Sequence, residues 1–156
     1  MELQKIAENV QIFGTTADVA LLGYIKPFYG YDLKLILIVA KTDKLIDEAY
    51  IRGFTSAATS FIKAVSGKSE YSLTVYINII VGHDIDPSAI KFSKGSMRST
   101  IGEREIPVIY DINLKKHYTF NWYNLWGFAH TYFYLRAINK AISYLEKNNF
   151  NLFNKT

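Results

Sequence analysis

The chain has 156 residues, of which 49% are hydrophobic and 21% charged, with a formal net charge of +4. That apolar content excludes an intrinsically disordered chain and suffices for one sizeable core. The absence of cysteine excludes disulfides, thiol catalysis and zinc–thiolate sites, so any metal would be a hard ion on carboxylates or an ion on histidine. No apolar run is long enough to cross a bilayer, and Met1–Lys5 opens no signal-peptide core, which predicts a soluble, intracellular protein with no membrane partner. The positive charge allows DNA or RNA as a partner without requiring either.

In chain order, Met1–Asn9 is predicted as a short helix, because Leu3, Ile6, Ala7 and Val10 fall on one side. Gln11-Ile12-Phe13 begins a strand, Gly14-Thr15-Thr16 makes a turn, and Ala17–Ile25 is a second strand. Pro27, Gly30 and Asp32 mark the next turn. Leu33–Ala40 is almost continuously aliphatic, as a strand buried on both faces requires. Thr42-Asp43 then supplies a helix N-cap. From there Ile46, Ala49, Tyr50, Gly53, Phe54, Ala57, Phe61 and Ala64 recur at helical steps, which predicts an amphipathic helix over Asp43–Val65.

Gly67 ends that helix. Ser72–Val81 alternates apolar and polar residues and is the clearest strand in the chain. A helical crossover joins parallel strands most naturally, in a right-handed sense. The ends after Ala40 and Val81 then share one sheet edge, where Lys41, Asp43, His83 and Asp84 are expected to meet. Open α/β sheets bind ligands at such an edge.

Beyond it, Gly82–Pro87 reads as an acidic turn and Ile90–Phe92 as a short strand. Lys94–Arg104 reads as a mobile surface loop, and Ile106–Tyr110 with His117–Asn121 as a hairpin. A final helix runs from about Asn124 to Lys147. One stripe of it carries Leu125, Phe128, Tyr132, Leu135, Ile138, Ile142 and Leu145; a second carries Trp126, His130, Phe133, Ala137, Ala141 and Tyr144. So broad an apolar face predicts a cover from another element or a homodimer partner. The sum is a single α/β (α+β) domain over 1–147, with a frayed tail over 148–156. Its mixed β-sheet has five to seven strands, a central β-α-β unit, flanking helices and a long C-terminal helix.

Through residue 82 the predicted order is a helix, a three-strand meander, a crossover helix and a fourth strand. That order resembles the core of the restriction-endonuclease-like superfamily, the PD-(D/E)xK nucleases. The family's aspartate at the start of the second core strand matches Asp18 in Ala17-Asp18-Val19, which lacks the preceding proline. Its acid-x-lysine at the end of the third strand matches Val39-Ala40-Lys41, where the lysine stands and the acid is gone. Some members carry that carboxylate on the following helix, a place taken here by Glu48 or Asp47.

The resemblance implies phosphodiester hydrolysis of DNA or RNA with Mg²⁺ or Mn²⁺. Asp18 and Glu48 would hold the metal, and Lys41 would serve the water or phosphate. Such chemistry needs carboxylates because Mg²⁺ takes oxygen ligands. With valine at residue 39, binding without cutting is the other implied outcome. Asp32-Leu33-Lys34 fits acid-x-lysine more literally, but at the wrong edge of the strand.

Other residues extend the candidate site. Asp84, in His83-Asp84-Ile85-Asp86, is a further metal ligand if the flanking strand is parallel to Leu33–Ala40. Lys94, Arg98 and Arg104 are candidate phosphate contacts, since arginine forks suit phosphate oxygens. The aromatic run Tyr118–Phe128 could stack bases, and His130 reads as a core histidine. Each residue also has an ordinary role: Asp18 in a turn, Lys41 in solvent, Glu48 paired with Arg52. The alternative function is a non-catalytic interaction domain of the roadblock or longin type, dimerising through the last helix or an exposed sheet edge. The two readings part on whether Asp18, Lys41 and Glu48 converge in one cleft.

Overall fold

A computed structural model describes residues 2–25, 33–66, 73–95, 98–100, 102–121 and 128–153. It is an α+β arrangement with the elements β1 (Gln4–Ile12), β2 (Thr15–Ile25), β3 (Leu33–Lys41), α1 (Glu48–Ser66), β4 (Leu73–Gly82), α2 (Pro87–Gly95), β5 (Arg98–Thr100), β6 (Glu103–Asp111), β7 (Lys116–Tyr118) and α3 (Phe128–Lys147). The seven strands form one mixed sheet in the order β1-β2-β3-β4-β6-β5, with β7 also on β6. The first three are an antiparallel meander; β3, β4 and β6 run parallel. The crossover inferred from the central unit is therefore parallel, as expected.

Alternation along the central strands divides the core in two. Leu33, Leu35, Leu37 and Val39 of β3 pack with Tyr134, Ile138, Ala141, Ile142 and Leu145 of α3. Ile36, Ile38 and Ala40 point the other way, onto Ile51, Phe54, Ala58 and Ile62 of α1. A strand covered on both faces needs apolar residues at every position, which is why β3 reads as an unbroken run.

Several expectations are corrected. The N-terminal segment is a strand and not a helix. Two register irregularities interrupt its pairing with β2, and Asn9 takes a positive φ of 54°. Those bulges break the period-two pattern and leave Leu3, Ile6, Ala7 and Val10 at helix-like spacing. The β1–β2 turn is Phe13-Gly14, both left-handed, as a tight two-residue hairpin demands.

Helix α1 begins at Glu48, not Asp43, because Asp47 is the cap: its Oδ1 accepts from the Tyr50 amide at 2.7 Å. Ile90–Phe92 is helical, within α2. There Pro87 fills the first turn, and Asp86 Oδ1 caps it by accepting from Ser88 N at 2.8 Å. The expected loop over 94–104 contains the end of α2, then β5 and the start of β6. The hairpin forms as β6–β7, with a shorter second strand than expected. Pro27, Gly30, Asp32, Gly67, Leu125 and Trp126 lie outside the described residues.

The expected fraying after Asn148 does not occur over 148–153. Asn149 and Phe150 both take left-handed φ, and Phe150 N donates to Leu145 O at 2.7 Å, so the chain reverses on leaving α3. Phe150 then meets the Tyr110 ring at 4.6 Å and Leu152 is 0% exposed. Lys5 Nζ lies 4.8 Å from the Phe153 ring centroid. The segment is a strap across one face of the sheet.

Candidate functional site

Asp18 and Lys41 do come together. Asp18 stands directly opposite Val39 in the β2–β3 ladder, and Val39 and Lys41 share its face, the one α3 covers. Period-two alternation makes this unavoidable once the register is set. Val39, where the resemblance would place an acid, is only 4% exposed and belongs to the apolar core.

Both charged groups are committed locally. Asp18 Oδ1 accepts from Asn9 N at 2.9 Å and so braces the bulge in β1. Lys41 Nζ donates to Asn149 O at 2.9 Å and to Asn151 Oδ1 at 3.1 Å, gripping the strap. Burial holds the Lys41 ammonium below its ordinary pKa, and the nearby Asp18 charge works against that shift.

Glu48 does not join them. It opens α1, which packs on the opposite face of the sheet, and its carboxylate binds Arg52 at 2.7 Å. Arg52 in turn lies over the Phe92 ring of α2. Among the described residues no three His, Asp or Glu side chains gather where a metal ion could sit. Asp18 and Glu48 are split between two faces of the sheet and do not fit one Mg²⁺.

The sheet edge after β3 and β4 brings Asp43 and His83 within 3.9 Å, both exposed. Asp84 is exposed beside them. Residues 42–47 fold over the edge: Thr42 N donates to Val81 O, Ile46 N to Asp84 O, and Asp86 N to Ile46 O. Ile46 is fully buried, and its Cδ1 would lie 2.7 Å from a Cβ at Gly82, so the missing side chain of that glycine leaves room for Ile46. Lys41 turns away from this edge, toward the strap.

The three candidate phosphate contacts are dispersed. Lys94 lies over the Tyr118 ring together with Lys116. Arg98 borders a cavity of about 180 Å³ between α1 and the β5–β6 pair, 3.9 Å from Glu105. Glu105 also accepts from Thr59 Oγ1 at 2.7 Å, and Lys63 pairs with Glu103 at 2.8 Å in the same cavity. Arg104 is on the other face, donating to Tyr134 Oη at 3.2 Å.

A cationic surface that the apolar stripes concealed lies on α3. Tyr132, Leu135, Arg136, Asn139, Lys140, Ser143, Tyr144 and Lys147 recur at three- and four-residue steps and line one broad open groove. Arg136, Lys140 and Lys147 have no ion-pair or hydrogen-bond partner among the described residues. Tyr132, assigned above to an apolar stripe, is 53% exposed and Phe133 36%. The missed signal was the spacing of the basic residues 136, 140 and 147.

On the flank of this face Glu146 accepts from Tyr110 Oη at 2.7 Å. Burial and that carboxylate push the Tyr110 phenol up to about 12. Burial also lowers the His117 pKa, opposed by the Glu146 charge and a hydrogen bond with Asn139.

No family model, curated protein or solved structure matches this chain.

Proposed function

We propose that the chain is a nuclease-like domain that binds nucleic acid without cutting it. One observation carries this reading: Asp18 and Lys41 share a sheet face on adjacent strands, while Val39, the direct partner of Asp18, fills the acid's place with core. The meander, crossover helix and parallel fourth strand support the resemblance, though the leading helix is replaced by β1. With Glu48 across the sheet and Lys41 held by the strap, the groups that would carry a metal and poise a water are apart.

The intracellular setting expected from the sequence suits such a partner, and among the described residues no helix is long and apolar enough to cross a membrane. Self-association through α3 is disfavoured, since its outward face would set Arg136, Lys140 and Lys147 against like charges across a two-fold axis.

The test is a pair of assays with labelled single- and double-stranded DNA and RNA, in Mg²⁺ and in Mn²⁺. Retention of nucleic acid with no cleavage, unchanged in Lys41→Ala, is the expected result. Metal-dependent cutting that disappears in Lys41→Ala and Asp18→Ala would overturn the non-hydrolytic half. Absence of binding would overturn the whole.

A further inference from the structure

We infer that the outward face of α3 is the surface on which a single-stranded nucleic acid lies, an inference that rests on the binding reading above. Elsewhere the described cations are mostly occupied: Lys5 by Glu8, Arg52 by Glu48, Lys63 by Glu103, Lys41 by the strap, Arg104 by Tyr134. On α3, Arg136, Lys140 and Lys147 stand on one side of one helix with none of these partners. Three neighbouring positive groups with no ion-pair partner among the described residues repel one another, and that repulsion is relieved by a polyanion.

Spacing and composition narrow the class. A rise of about 1.5 Å per residue separates Arg136 from Lys140 by roughly 6 Å along the helix axis and sets Lys147 about 10 Å further on. Such a row suits successive phosphates. Between the cations stand Asn139 and Ser143, which offer hydrogen bonds, with Leu135 and Tyr144 along the same groove.

At the amino end of the row the exposed Tyr132 and Phe133 rings lie 6.3 Å apart, edge to face. Exposed rings stack on unpaired bases, which a duplex hides. The row and the rings together favour a single strand over a duplex.

The experiment is a fluorescence-anisotropy titration of the whole chain with labelled single- and double-stranded oligonucleotides over a salt series. It is run beside the triple variant Arg136→Gln/Lys140→Gln/Lys147→Gln, Tyr132→Ala, and the control Lys91→Gln/Lys115→Gln. All these positions are exposed, and thermal melting verifies that each variant folds. The triple variant is expected to weaken single-strand binding at least about tenfold, and to flatten the slope of log affinity against log salt by about 2. Tyr132→Ala is expected to cost about fivefold or more, and the control to leave binding unchanged.

Wild-type binding that the triple variant and Tyr132→Ala both retain would overturn the assignment and leave the nucleic-acid reading standing. Preference for duplex would overturn the single-strand assignment alone. No binding of any nucleic acid by wild type would overturn both. Capture by anionic phosphatidylserine vesicles through the same three cations, with no oligonucleotide binding, would replace them with a membrane surface.

Discussion

The two faces of the sheet are finished differently. Beneath α1 the interface buries polar groups among the aliphatic ones: Thr55, Thr59, Asn78 and Glu105 all lie there, and the Tyr76 phenol is pushed up to about 12 by burial and the Glu103 and Glu105 charges. Of the charges around that face, Arg52 pairs with Glu48, Lys63 with Glu103 and Arg98 with Glu105, while Lys91 has no partner among the described residues. Beneath α3 the interior is aliphatic and aromatic, sealed by the strap, and the unpaired charges are outside. Where the interior is polar, most of the charge around it is paired; where it is apolar, a row of three cations stands outside with no partner among the described residues. The contrast directs a search for partners to α3 and away from the sheet edge.

Four measurements test that contrast. Phe54 is fully buried on the α1 side, and Phe54→Ala should cost about 3–5 kcal/mol in urea unfolding. A loss under about 1 kcal/mol would mean that this face is loosely packed. On the other side, Leu152→Ala should cost near the low end of about 2–5 kcal/mol, since Leu152 is 0% exposed. A strap that frays would give no loss, and the seal over Asp18 and Lys41 would go with it.

Third in size is a pH effect. The folded His117 pKa lies below 6.5, so the stability tied to its neutral ring is complete above about pH 6.5 and lost as pH falls through the lowered value. The groups facing it are Glu146 and Asn139 from α3, and Tyr110 across the ladder. In His117→Gln, melting temperatures between pH 7 and pH 5 should therefore fall less than in wild type. An equal fall would exclude His117 as its source.

The smallest effect is expected at Asn78. Its Oδ1 is buried without a hydrogen-bond partner and its amide reaches only Tyr76 O at 3.4 Å. Asn78→Leu should leave stability unchanged or raise it by up to about 1 kcal/mol. A clear loss would mean that the polar interior of the α1 face is a requirement of the fold.

The central β3-α1-β4 unit was legible because its signals are strong and local: an unbroken aliphatic run, a helical stripe and a clean alternation. Its parallel direction followed from the crossover. β1 was misread because bulges remove the alternation by which a strand is recognised. α2 was misread although Asp86-Pro87 announces it, a cap followed by a first-turn proline that also fits an acidic turn. Of the site, Asp18 and Lys41 were named together through the resemblance alone, and that they share a face follows from the β2–β3 register, which the sequence does not state. The position of Glu48 was not, because it depends on which side of the sheet α1 crosses. The α3 cations were passed over because the apolar positions of that helix drew the eye first.

One consequence of the strap concerns synthesis. Among the described residues all seven strands precede α3, yet the face carrying Leu35, Leu37, Ile77, Ile79, Ile106 and Val108 is covered by Phe120, α3 and residues 148–153, all of which follow β7. Lys5 is made well before Phe153 and meets its ring only once the strap is in place. During that interval the nascent chain presents a bare aliphatic sheet, the kind of surface chaperones bind and aggregates grow from. Slowing translation between β7 and α3 should lengthen that exposure, and with it the demand for a chaperone.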